Sequence, residues 1–71
     1  MANRTIGESI RVQRIIKKLK QGELAELMGV KQSVISSWET GRTFPHILNC
    51  ISLANTLGIS LDELVGRENR Q

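Results

Sequence analysis

Apolar residues recur along the chain at helical spacing, and single glycines at positions 29, 41, 58 and 66 punctuate them. No alternating run rich in valine, isoleucine and threonine is long enough for a strand, so the pattern predicts an all-helical chain. Thr5-x-x-Glu8 fits a capping box and opens a first helix over 6–18, with Ile6, Ile10, Val12, Ile15 and Ile16 as its apolar stripe up to Leu19. A second helix over 21–28 turns Leu24, Ala25, Leu27 and Met28 inward and ends at Gly29. A third follows after a turn of three residues or so, over 32–40, and stops at Gly41. Pro45 and His46 open a fourth over 47–57, stopped by Gly58, and Ser60-x-x-Glu63 caps a short fifth over 61–65.

The chain has 71 residues, enough for one small domain. Residues 1–66 form that domain, with a helix-turn-helix segment at 21–40, and residues 67–71 read as a polar tail. A single cysteine allows no disulfide within the chain, and one histidine with it cannot close a zinc site, so no metal or cofactor is expected. No apolar run approaches a membrane span and the start lacks a signal-peptide core, so the expected compartment is the cytoplasm. His46 and Cys50 are four apart on one helix, but no acidic orienter or glycine-rich phosphate cradle accompanies them, which argues against an enzyme.

Charge adds a direction to this picture. The net formal charge is +3, yet residues 1–42 hold eight basic and four acidic groups, while the remainder is slightly acidic. A basic first half faces phosphate or is simply a solvated surface.

Within that half, small Ala25 precedes Gly29 by four residues, and Ile35 follows six later, with Leu24, Met28, Val30 and Trp38 apolar. Two helices joined by a tight turn approach closely enough to require a small residue on the first, glycine in the turn and a branched apolar residue on the second. The stretch from Leu19 to Val30, the segment Ile35-Ser36-Ser37-Trp38-Glu39-Thr40-Gly41-Arg42, and the continuation through Pro45 and Leu53-Ala54 to Leu57-Gly58-Ile59-Ser60-Leu61-Asp62-Glu63-Leu64 resemble the Xre family, that of phage repressors and Cro. The resemblance covers residues 5–66. It implies a five-helix, lambda-repressor-like DNA-binding domain whose third helix enters the major groove of double-stranded DNA.

On a helical wheel, Lys31, Val34, Ile35 and Trp38 share the inner side of the third helix. The other side displays Gln32, Ser33, Ser36, Ser37 and Thr40, without one acid. Such a face is an ordinary polar surface or a set of donors and acceptors for base edges; we expect base reading, with Gln32 pairing to adenine as its strongest member. Gln21, Lys31, Arg42 and the amides of Thr43 and Phe44 flank it as candidate phosphate contacts, with His46 and Asn49 nearby. Each has a plainer alternative: Gln21 as a helix-start residue, Arg42 as a partner of the helix dipole, His46 and Asn49 as surface groups. The resemblance implies that Arg14 and Glu39 form an ion pair between the first and third helices, an alternative to Arg14 touching DNA.

Two positions depart from the family pattern. Lys20 and Lys31 stand where Ser, Thr or Asn usually caps a helix, placing positive charge at positive helix ends, a cost that nearby phosphates would relieve. Gly22 weakens the first turn of the second helix. The expected function is sequence-specific DNA binding as a small transcriptional regulator, a repressor, acting as a homodimer on a palindromic operator; a protein-interaction module within a larger complex is the alternative. Ile59, Leu61, Leu64 and Val65 are candidates for the two-fold contact or for the core, and no small-molecule effector site is expected.

Overall fold

The computed structural model describes residues 5–65. Within them the chain forms five helices: α1 Ile6–Ile16, α2 Gln21–Met28, α3 Gln32–Thr40, α4 Ile47–Leu57 and α5 Leu61–Val65. Four of the five coincide with the ranges read from the sequence; the tail at 67–71 lies outside the described residues. No helix among them is long and apolar enough to cross a membrane.

Local chemistry accounts for most of the boundaries. Thr5 Oγ1 accepts from the Glu8 amide at 3.1 Å, and Glu8 Oε1 accepts from the Thr5 amide at 3.0 Å, so two free donors of the first turn are satisfied reciprocally. Ser60 and Glu63 repeat the device ahead of α5. Helices α2, α3 and α4 all end on glycines with positive φ, at 29, 41 and 58.

α1 is the exception. It ends at Ile16, not at Lys18 as the pattern predicts, because Lys18 itself turns left-handed at φ 60°. The Leu19 amide then donates back to the Arg14 carbonyl at 3.0 Å, closing the helix without a glycine. A lysine in that conformation carries no signature in the sequence.

The core is built from Ile10, Leu24, Ala25, Ile35, Trp38, Leu53, Ala54, Leu57 and Leu64, with Cys50 at its edge. Ala25 is 3% exposed, so the small residue does lie where α2 packs closely. Several positions read as inward are not. Val12, Ile15 and Ile16 of α1 face solvent, as does Leu27, which is 63% exposed. For Val12 and Ile15 helical geometry gives the reason: Ile6, Ile10 and Gln13 lie on one arc of α1, and these two fall about 100° or more from it, while Ile16, roughly 60° off, is the last residue of the helix. Leu27 falls about 60° outside the arc of Leu24, Ala25 and Met28.

Two buried features join α1 to α3. Gly7 sits against the end of α3, where a Cβ would stand 2.5 Å from the Trp38 carbonyl oxygen and 2.7 Å from that of Glu39. Ser9 is wholly buried, and its Oγ has no hydrogen-bond partner among the described residues. Both lie in the stretch that the apolar pattern treats as polar or neutral.

Candidate nucleic-acid interface

α3 is held at its carboxyl end by a three-helix network centred on Glu39. Arg14 Nε donates to Glu39 Oε2 at 2.6 Å and Arg14 Nη2 to Oε1 at 3.2 Å, a bidentate pair whose side chains are 12% and 4% exposed. Arg14 Nη1 also donates to the Leu19 carbonyl at 2.7 Å, which fixes the turn between α1 and α2. Gln21 Nε2 completes the set, donating to Glu39 Oε1 at 3.0 Å. Arg14 is thereby committed within the protein. One N–H of the Gln21 carboxamide is committed too, leaving its second N–H and the backbone amides at the start of α2 to face a phosphate.

Held in this way, α3 buries Ile35 and Trp38 and turns Gln32 and Ser33 fully outward, with Ser36 and Ser37 half-buried beside them. Lys31, read as sharing the inner side, is exposed at the amino end of α3; it precedes the first helical residue, so the wheel does not govern its direction. Thr40 is exposed, but its hydroxyl donates back to the carbonyls of Ser36 at 3.0 Å and Ser37 at 3.3 Å. It therefore offers an outside partner an acceptor only.

The segment after α3 is shaped by the helix end itself. The Arg42 amide donates to the Ser37 carbonyl at 3.0 Å and the Thr43 amide to the same oxygen at 3.3 Å. The Thr43 amide, read from the sequence as open to phosphate, is thus already engaged in capping α3. The Phe44 amide makes no backbone hydrogen bond among the described residues, and the Arg42 side chain is exposed. Asn49 Nδ2 donates to His46 Nε2 at 3.2 Å across the first turn of α4.

The uncapped helix starts are plain in the geometry. Neither Lys20 nor Lys31 makes a side-chain cap, and both are exposed. At α2 only half of a capping box forms: Glu23 Oε1 accepts from the Lys20 amide at 2.7 Å, while a lysine cannot accept in return. Two helix amino ends, each bearing an added cation, therefore open beside the outward residues of α3. Such a pair of ends attracts anions.

Sequence reasoning missed a second exposed feature. Phe44, Ile47, Leu48 and Ile51 are between 41% and 71% exposed, and the three of them on α4 lie within one arc of roughly 100°. The last helix, read as the alternative contact surface, contributes little. Leu64 is fully buried, Ile59 and Val65 are half-buried, and of that group Leu61 alone is exposed. A count of apolar residues per helix does not separate these cases, because the contacts that bury Leu64 come from α1 and α4.

Comparison with known proteins places this architecture. A helix-turn-helix family model matches residues 10–64. Repressor protein C2 of Salmonella phage P22 is 35% identical over 65 residues, which is 92% of this chain and 30% of that protein. The crystal structure of the P22 c2 repressor with a synthetic operator superposes at a TM-score of 0.84 with 34% identity, covering 92% of this chain and 98% of that one. The regulator SinR in complex with DNA gives a TM-score of 0.78 with 34% identity, over 84% and 97%. The chain belongs to the helix-turn-helix family of DNA-binding regulators. It spans between 30% and 55% of the length of the first three curated relatives it matches.

Proposed function

We propose that the protein binds double-stranded DNA with α3 in the major groove and acts as a transcriptional repressor, two copies sharing a palindromic operator. The observation that carries this reading is the outward side of α3: Gln32, Ser33, Ser36 and Ser37, with no acidic side chain among them, flanked by the exposed cations Lys20, Lys31 and Arg42. Gln32 and the serines present donors and acceptors to base edges, and the cations with the open ends of α2 and α3 hold the backbone on either side. The likeness to a repressor bound to its operator supports the same placement of α3.

The protein acts by binding and not by catalysis. Cys50, the one thiol, is 8% exposed and donates to the Pro45 carbonyl at 3.5 Å, and burial pushes its pKa up, away from a reactive thiolate. A single recognition helix reads one half-site, and a second copy about one DNA turn away supplies the other. The exposed side of α4, with Phe44, is the surface suited to that pairing, because water-facing apolar side chains adjoin the segment leading out of α3.

Selection of bound sequences from random duplex tests the proposal. A palindromic consensus with half-sites about ten base pairs apart is the expected result, whereas enrichment of no sequence counts against base reading. Neutralising Arg42 gives a sharper check on the clamp. Arg42→Gln is expected to flatten the slope of log affinity against log salt by about one unit, and an unchanged slope removes Arg42 from the phosphate contacts.

A further inference from the structure

Gly22, the second residue of α2, is a poor helix former at a place where the backbone conformation is ordinary and alanine would serve the helix better. The structure shows what occupies the space. A Cβ at position 22 would stand 3.3 Å from Oε1 and 3.9 Å from Cδ of Gln32, and among the described residues no other group outside α2 lies within 4 Å. Gln32 opens α3, so the carboxamide at the front of one helix rests across the bare first turn of the other.

We propose that Gly22 is a positioning residue for base reading: the missing side chain leaves a shelf on α2 where the Gln32 carboxamide lies, so the α2 backbone sets how that amide is presented to the groove. The inference rests on the reading of Gln32 as the adenine-recognising residue. A bidentate contact requires the oxygen and nitrogen of the amide to meet the base in one plane. A long side chain standing free in solvent must lose its rotamer freedom to do so; one lying against a backbone shelf has fewer arrangements to give up. At 3.3 Å the contact is too tight for a methyl group to be added without moving the amide, and the exposed Gln32 side chain moves more readily than the α2 backbone. Alanine at 22 is therefore accommodated by the fold at the expense of the amide's placement.

The test compares four proteins: the natural chain, Gly22→Ala, Gln32→Ala and the double variant. Each is measured by thermal melting and by affinity for the selected operator and for operators carrying the other bases at the Gln32 position. Gly22→Ala is expected to melt at or above the natural temperature, yet to lose about fivefold or more of its discrimination at that one base. In the Gln32→Ala background the same change is expected to cost nothing further. The side-chain amide resonances of Gln32 in the free protein are expected to shift in Gly22→Ala, a readout independent of DNA. Full discrimination in Gly22→Ala, or an equal loss with and without Gln32, or unmoved Gln32 resonances, overturns the positioning role. Retained discrimination in Gln32→Ala instead overturns base reading by Gln32, and the inference with it.

Discussion

Gly7→Ala is expected to lower the melting temperature by roughly 10 °C, even though alanine is the better helix former by about 1 kcal/mol. The added Cβ would meet the carbonyl oxygens of Trp38 and Glu39 at 2.5 and 2.7 Å. Neither oxygen belongs to a side chain that can rotate away; both are main-chain atoms in the last turn of α3, locked between the Glu39 network and the buried Trp38 ring. Relief requires α1 and α3 to separate, which loosens Ile10 and Ile35 behind them. Overpacking of this kind costs about 1–3 kcal/mol, here at the upper end because rigid backbone is displaced, and the gain in helix propensity offsets only part of it. Circular-dichroism melts of Gly7→Ala beside Gly22→Ala isolate the contact, since both changes carry the same propensity gain. Equal melting temperatures in the two variants would show that α1 and α3 yield without strain.

Glu39→Ala is expected to be more damaging still, by about 3–5 kcal/mol, the usual consequence of removing one member of a buried, hydrogen-bonded ion pair. The carboxylate is almost fully covered and serves Arg14 from α1 and Gln21 from α2 together, so its loss leaves a guanidinium without its counter-charge and an amide without its acceptor. Arg14 retains the Leu19 carbonyl, but a neutral oxygen does not balance a cation in a covered site. Glu39→Gln keeps the hydrogen-bonding capacity without the charge and is expected to melt between the two. Arg14→Leu added to Glu39→Ala is expected to recover part of the loss, because the unpaired charge goes with it. Denaturant titration of the four proteins reads these differences directly; a Glu39→Ala midpoint equal to that of the natural protein would mean that water replaces the carboxylate without penalty.

Much of the architecture is legible in the sequence. Thr5 with Glu8 and Ser60 with Glu63 are local pairs whose geometry depends on three intervening residues, and the glycines ending α2, α3 and α4 act through their own backbone. Such signals lie within one helical turn, so a string of letters carries them whole. The outward residues of α3 were legible for the same reason: once Ile35 and Trp38 are inward, Gln32 and Ser33 have no other direction. Hydrogen-bond commitment was not. Thr40 and the Thr43 amide satisfy the carboxyl end of α3, and Gln21 serves Glu39, because the free groups of helix ends and the buried carboxylate had to be met by whatever stood near.

The two glycines in first helical turns mark the boundary most clearly. The sequence alone marked Gly22 as a weakness in a helix start and left Gly7 without a reading, since propensity is a property of the residue and its immediate neighbours. Only the tertiary structure decided what each one does. Gly7 lets two backbones meet, and Gly22 lies open beneath a single flexible amide. The cause is that close approach depends on where another helix, separated by ten residues or by thirty, finally packs. The same holds for the apolar positions: the alphabet marked Leu27, Ile47, Leu48 and Leu64 alike, and packing buried the last while leaving the other three at the surface.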